Sequence, residues 1–401
     1  MIPYGRQVIE DDDIAAVAAA LRSDLLTTGP LVERLEEAFA ARVGALYASV
    51  CSSGTAALHL ATLALGITRG QAAIVPAITF AATANAIRYV GGEVVFADVD
   101  PDTGLMTAPH LEDAIQRARH QTPKHVLRAV LPVHLNGQSA DMRAIADIAE
   151  RHSLAIVEDA CHAIGGTQEG AGRIESPIGS CTLSEMAMFS GHPVKTFAMG
   201  EGGILTTRDP DLKQRLDRLR NHGIERNPAA FTEPSQALDS SGQPNPWYYE
   251  LAELGFNYRA SDIHCALGLN QLGKLDRFVA RRRALIAAYN EALSPLKTKV
   301  RLVKAAGIGQ PAWHVAAALI DFSGTERATV MRRLKADGIG SQVLYIPVYR
   351  HPYYRARYGE IRLPGAERYY ASALAIPLFP AMSDEMPARV AAALGRALEI
   401  A

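Results

Sequence analysis

The 401-residue chain is 48% hydrophobic and 21% charged, an ordinary balance for a globular protein and long enough for roughly two to three domains. A formal net charge of −1 gives no support to a nucleic-acid partner, and no apolar run approaches the ~18 residues of a membrane span. The cysteines Cys51, Cys161, Cys181 and Cys265 form neither a C-x-x-C pair nor a zinc spacing, which predicts reduced thiols in the cytoplasm and no metal site.

The N-terminal segment is polar within its first ten residues and holds no apolar signal core. From about residue 14 to 270, short runs rich in Val, Ile and Leu alternate with alanine-rich stretches of helical period. In chain order the pattern predicts helices over 13–22 and 32–42, a strand over 46–50, and a helix over 54–65. It continues with strand 73–76, helix 81–90, strand 94–97, helix 108–118, strand 129–133 and helix 140–152. Strands 155–158, 186–189 and 203–206 and helix 210–220 complete the series. Strands joined through helices imply a mainly parallel sheet covered on both faces, with ligands beyond the carboxyl ends of its strands. Residues 227–247, rich in Pro, Ser, Asn and Gly, read as a long mobile loop. Residues 260–292 read as helix, and the basic run Arg277, Arg281, Arg282 and Arg283 as its solvated face. Beyond it, strands over 315–320 and 342–345 and helices over 327–337 and 384–394 predict a smaller α+β unit. The expected division is 1–270, with an N-terminal arm, and 271–401.

Four features fall at predicted strand ends. The strand at 155–158 runs into Glu158 and Asp159, and an acid there needs a positive partner, which a protonated pyridine nitrogen would supply. Lys195 follows another strand end and precedes the glycine-rich Met199-Gly200-Glu201-Gly202-Gly203; a lysine so placed can bind an aldehyde and move protons. Ser52-Ser53-Gly54-Thr55 joins a strand to a helix, where free amides and hydroxyls suit phosphate. Phe80, just past a strand, offers a ring to stack on a ligand. Taken singly, these are equally a helix cap, a surface lysine, a plain Ser/Thr cap and a core phenylalanine. Their order along one α/β chain is what points to a pyridoxal phosphate (PLP) site.

The segments SSGTAAL (52–58), PAITFAATANAI (76–87), VEDACHAIG (157–165), FSGHPVKTFAMGEGG (189–203) and GFNYRASDIHCALGLNQL (255–272) resemble the DegT/DnrJ/EryC1/StrS sugar-nucleotide aminotransferases nearly end to end. The resemblance implies the type I PLP-dependent aminotransferase fold, a PLP/PMP cofactor and a homodimer with shared active sites. It places Lys195 as the lysine that carries the cofactor and Asp159 as the pyridinium partner. Phe80 takes the stacking position, and Gly54, Thr55 and Ser190 the phosphate cradle. His162 falls near the cofactor hydroxyl, and Asn257 at the asparagine lent to the other subunit's phosphate. Tyr4, Leu26, Thr27 and Tyr345 fall at positions of the sugar-nucleotide pocket.

Within the family, Pro3–Arg6, His192–Lys195, Trp247–Leu251, Leu275–Phe278 and Gln342–Tyr349 resemble the branch acting in pseudaminic acid biosynthesis. That branch implies a UDP-linked 4-keto-6-deoxy-N-acetylhexosamine substrate and L-glutamate as amino donor. Amination of another nucleotide sugar, of perosamine or arabinose type, is the alternative. Sugar dehydratases of the family carry His at the lysine position, so Lys195 argues against them, and intact Lys195, Asp159 and Ser190 argue against a non-catalytic scaffold. Three departures stand out: Gly191 where relatives have Phe, Leu344 where His is expected, and Ala198-Met199 in place of a more hydroxylated pair.

Overall fold

The computed structural model describes residues 1–121 and 124–400. The chain opens with helices α1 (Asp11–Leu21) and α2 (Pro30–Val43). Pro30 starts α2 where a missing N–H costs nothing, and Gly44 ends it in the left-handed conformation. Then come β1 (Tyr47–Cys51), α3 (Gly54–Ala64), β2 (Gln71–Pro76), α4 (Ala81–Tyr89), β3 (Glu93–Ala97), α5 (Ala108–Gln121) and β4 (Val126–Val130). Next are α6 (Met142–Arg151), β5 (Ala155–Asp159), β6 (Met186–Ser190), β7 (Gly203–Thr207) and α7 (Pro210–Arg220).

These seven strands form one sheet in the order β1-β7-β6-β5-β4-β2-β3. The pairs from β6 through β3 are parallel, whereas β7 is antiparallel to both neighbours. The reversal has a simple cause. No helix lies between β6 and β7, and a parallel return needs a crossover. All five residues of β6 and of β7 are buried. Apolar residues of the sheet and its helices pack on both sides, and full burial of each Val, Leu or Ile contributes about 1.5–3 kcal/mol. The mixed α/β architecture, a mostly parallel sheet covered on both faces, is the one the sequence predicts.

After residue 224 the sequence reading needs revision in several places. Residues 227–247 are organised rather than structureless. Ile224–Glu225 pairs with Glu250–Leu251, and a short helix spans Pro234–Ala237. Within this excursion the Glu250 carboxylate accepts from the amides of Thr232 and Glu233, and Asp239 from those of Ser241 and Gln243. The helix expected over 260–292 breaks at Gly273 into α8 (Asp262–Leu272) and α9 (Leu275–Ala292). The basic run on α9 is a solvated face only at Arg277, which is exposed. Arg282 is 1% exposed, and Arg281 and Arg283 each donate to backbone carbonyls, of Met382 and Pro311.

A second, antiparallel sheet holds β8 (Val300–Leu302), β9 (Ala316–Ile320) and β10 (Ala373–Ile376). With α9, α10 (Arg327–Ala336), α11 (Met386–Ala397) and Ile2 of the N-terminal arm it encloses its own apolar cluster. Residues 342–345, expected as a strand, are not one. Only Gln342 pairs, with Ala375, after which the chain leaves the sheet toward the pocket described next, short of Pro347, which has no N–H to donate. Among the described residues no helix is long and apolar enough to cross a membrane.

Candidate active site

A cavity of about 600 Å³ opens beyond the carboxyl ends of the parallel strands. The ends of β1, β2, β5 and β6 each deliver part of its wall. Beyond β1, Ser53 caps α3 by accepting from the amide of Ala56 (3.1 Å). Gly54 and Thr55 therefore begin the helix with amides that have no intrahelical acceptor, at the positive end of its dipole. Glycine at 54 also eases the approach to Ser190, since a Cβ there would lie a tight 3.0 Å from the Cβ of Ser190. Beyond β2, Phe80 precedes α4, and its ring is 59% exposed, facing Tyr345 at 5.9 Å.

The two acids of β5 point to opposite faces, as alternation requires. Glu158 is fully buried against His134 Nε2 (2.8 Å) and Ser184. Asp159, 5% exposed, lines the cavity. Its Oδ2 accepts from Thr83 Oγ1 (2.7 Å) and its Oδ1 from the amide of Cys161 (3.2 Å). Beyond β6, Ser190 accepts from the amide of His192 (3.3 Å), and a turn closed by the Lys195 amide on the His192 carbonyl (2.8 Å) brings Lys195 into the same cavity. Burial lowers the proton affinity of the Lys195 amine below the ordinary lysine value, against the opposing pull of the Asp159 carboxylate. Burial, and next the neighbouring Asp159, hold the Cys161 thiol well above its usual range, so it stays protonated. His162, beside Lys195, is held neutral by burial and by that lysine's charge.

Of the residues singled out in the sequence, Tyr4, Gly54, Thr55, Phe80, Asp159, His162, Ser190, Lys195 and Tyr345 line this one cavity. Leu26, Thr27 and Asn257 do not. Leu26 is 44% exposed and Thr27 pairs with Ser261, on a turn held against α8; Asn257 is exposed and pairs with Asn221. The sequence reading missed Thr83, Asn136 and His314. Asn136 alone left a signal: Asn136-Gly137 is a turn dipeptide, and Asn136 has φ 61°.

The profile of the DegT/DnrJ/EryC1/StrS aminotransferase family matches residues 7–395. The chain belongs to this family. As a sugar aminotransferase it calls for a nucleotide-sugar substrate, an amino donor and a PLP-type cofactor. It is 37% identical, over 96% of its length and 94% of the relative's, to the spore coat polysaccharide biosynthesis protein SpsC of Bacillus subtilis. Its fold superposes on Helicobacter pylori PseC, an aminotransferase of pseudaminic acid biosynthesis, with a TM-score of 0.86, 24% identity and 99% of both chains covered. Spr1654 of Streptococcus pneumoniae in its PLP form gives 0.85, with 25% identity over 99% of this chain and 98% of that one.

Proposed function

We propose that this enzyme uses pyridoxal 5′-phosphate to move the amino group of L-glutamate to C4 of a UDP-linked 4-keto-6-deoxy-N-acetylhexosamine. The product is UDP-4-amino-4,6-dideoxy-N-acetyl-β-L-altrosamine, a precursor of pseudaminic acid. The observation that carries the chemistry is the meeting, in one cavity, of a lysine of lowered basicity, a buried carboxylate and an open helix N-terminus. This set fits the three ends of the cofactor: aldehyde, ring nitrogen and phosphate.

When bound, PLP supplies an aldehyde to carry the amino group and a ring that accepts the electrons left by a departing proton. The chain's own residues do the rest. Gly54, Thr55 and Ser190 hold phosphate oxygens at the start of α3. Asp159, oriented by Thr83 and the Cys161 amide, keeps a carboxylate toward a ring N–H and so favours its protonated form. Phe80 would cover the ring, and His162 would lie beside it. Lys195 would hold the aldehyde carbon, and its Nζ, when free, would take the α-proton of glutamate and deliver a proton to C4 of the sugar. Tyr4 and Tyr345 face the substrate. Leu26 and Thr27, with Asn257 lent to the partner's phosphate, complete the pocket in a cytoplasmic homodimer. Residues 1–270 form the cofactor-binding unit and 271–401 the smaller one.

The substrate rests on the N-terminal Pro3–Arg6 and the Gln342–Tyr349 segments. A second reading, amination of another nucleotide 4-keto-6-deoxy sugar for a surface polysaccharide, draws on the likeness to SpsC. Absorption spectroscopy of the PLP-loaded protein separates them. The cofactor band is expected to bleach with L-glutamate and to return with the UDP-N-acetyl ketosugar. Return only with a different ketosugar favours the second reading, and no band after added PLP overturns the lysine assignment.

A further inference from the structure

His162 is 5% exposed and both of its ring nitrogens are engaged. Its Nδ1 faces the backbone N–H of Asn136 at 3.3 Å. An amide hydrogen cannot be given up or turned away, so Nδ1 must accept. The neutral imidazole then carries its one hydrogen on Nε2, which lies 3.2 Å from the Tyr345 hydroxyl and donates to it. A phenol that accepts from His162 must aim its own hydrogen elsewhere. Tyr345 lines the cavity together with Lys195, Phe80 and Tyr4.

The direction of the amide is itself fixed from behind. Asn136 stands at φ 61° and Gly137 at φ 100°. Their carbonyls accept from the amides of His314 (3.0 Å) and Ala312 (2.9 Å). A Cβ on Gly137 would fall 2.1 Å from the Ala312 carbonyl oxygen, so the two segments fit this closely only with glycine. Arg282 then donates to the carbonyl of His314 (3.0 Å). A run of donors thus passes from α9 to the pocket; the backbone links fix position, and His162 is the link whose polarity is open and is set, by the Asn136 amide.

We propose that Tyr345 is a specificity-determining residue whose O–H donates to an oxygen of the bound substrate, and that His162, oriented by Asn136, is the positioning residue that sets this polarity. The idea rests on the aminotransferase reading above. The acceptor oxygen belongs either to the nucleotide sugar or to the carboxylate-bearing amino donor, and the kinetics tell which.

The test uses PLP-loaded enzyme and steady-state kinetics with the UDP-N-acetyl ketosugar and L-glutamate. Tyr345→Phe is expected to raise one KM roughly tenfold, the worth of one hydrogen bond, with a smaller fall in kcat. A rise for the sugar assigns the acceptor there; a rise for glutamate assigns it to the donor. His162→Leu should give the same rise and His162→Gln should reverse most of it, because a glutamine can accept at its oxygen and donate at its nitrogen. In the Tyr345→Phe/His162→Leu double variant the losses should not add. Neither KM changing by more than twofold, or additive losses, overturns the proposal. One measurement stands apart from any activity. In histidine-15N-labelled protein, His162, assigned by its loss in His162→Gln, should show a bare Nδ1 and a protonated Nε2. A hydrogen on Nδ1 overturns the proposal even if the enzyme transaminates as described.

Discussion

Met199 occupies the space that a side chain at position 191 would need. A Cβ built on Gly191 falls 2.7 Å from both the Cγ and the Sδ of Met199, whose amide also donates to the Gly191 carbonyl at 2.7 Å. The same sulfur lies 2.7 Å from a Cβ placed on Gly202, and the Met199 Cγ lies 2.8 Å from one placed on Gly268. Two of the departures noted in the sequence, Gly191 and Ala198-Met199, are therefore one compensated exchange: the bulk moves from 191 to 199. Gly191→Phe alone should overpack this fully buried spot and destabilise by about 1–3 kcal/mol. Gly191→Phe combined with Met199→Ala should recover most of that loss. Urea unfolding of both variants checks the coupling, and equal loss in the double variant would show the two sites to be independent.

Lys195 makes a prediction about pH. Its folded-state pKa is lowered, chiefly by burial, so between that value and the ordinary 10.5 the unfolded chain holds more of this proton than the folded one. Stability of the cofactor-free protein should therefore rise with pH across that window, and Lys195→Met should flatten the rise. Acetylation of Lys195, followed by peptide mass spectrometry, should show a midpoint below the ordinary lysine value. A midpoint at or above it would contradict the burial argument. Lys195→Ala should abolish turnover and leave the fold largely intact; full activity would sink the assignment.

Asp159 and Thr83 act as a unit. On the proposed reading Asp159→Asn removes the charge that would favour a protonated ring nitrogen and should cut kcat by about a hundredfold or more. Thr83→Val keeps the shape but loses the 2.7 Å hydrogen bond, and should cost roughly tenfold. If Thr83→Val exceeds Asp159→Asn in its effect on kcat, the carboxylate is not the principal group.

The sheet and the cavity wall at its strand ends are legible because period and position coincide there. Apolar runs ending in Asp159, Ser190 or the Ser53 cap mark strand ends whatever the tertiary packing. The substrate end was less legible. Tyr345 was expected on a strand, because Gln342-Val-Leu-Tyr345 has strand-like composition; the competing factor is that only Gln342 finds a backbone partner. Asn136 and His314 act through backbone N–H and C=O groups, which every residue carries, so side-chain chemistry gives no hint of them. Arg282 was taken for a surface charge because charge runs usually are; what buries it is a set of distant carbonyls that no local window contains.

Gly203 tests the link between the sheet and the phosphate cradle. It pairs with both Cys51 and Ser190, and a Cβ there would lie 2.2 Å from the carbonyl oxygen of Ser53. The obstacle is backbone, not the tip of a flexible side chain, so the cap of α3 must shift. Gly203→Ala should weaken PLP binding at least about tenfold, read by fluorescence titration of the cofactor-free protein. Unchanged affinity would mean that the cap absorbs the methyl group without moving the amides of Gly54 and Thr55.

Arg282 carries a buried cation that forms no ion pair with a carboxylate among the described residues. Its Nη1 donates to the carbonyls of His314 (3.0 Å) and Leu378 (2.9 Å), its Nε has no partner, and burial lowers its proton affinity to about 10, which leaves it charged at neutral pH. Those two carbonyls lead to the pocket by separate routes. The amide of Leu378 donates to the carbonyl of Tyr4 (3.0 Å), and that of His314 to Asn136. Arg282→Met would relieve the desolvated charge but leave two buried carbonyls unpaired. Because an unsatisfied carbonyl costs about 1–3 kcal/mol, the net loss should be on the order of 2–4 kcal/mol, visible as a lower urea midpoint. Arg282→Lys keeps the charge but places its nitrogen one bond short of Nη1, the atom that serves both carbonyls, so it should fall between wild type and Arg282→Met. Both variants should also raise the KM that Tyr345→Phe raises, by a smaller factor, since they loosen the frame and leave the phenol in place. A midpoint unchanged in Arg282→Met would mean that the loops at 314 and 378 hold their positions without the arginine, and the route from α9 to the pocket would lose its first link.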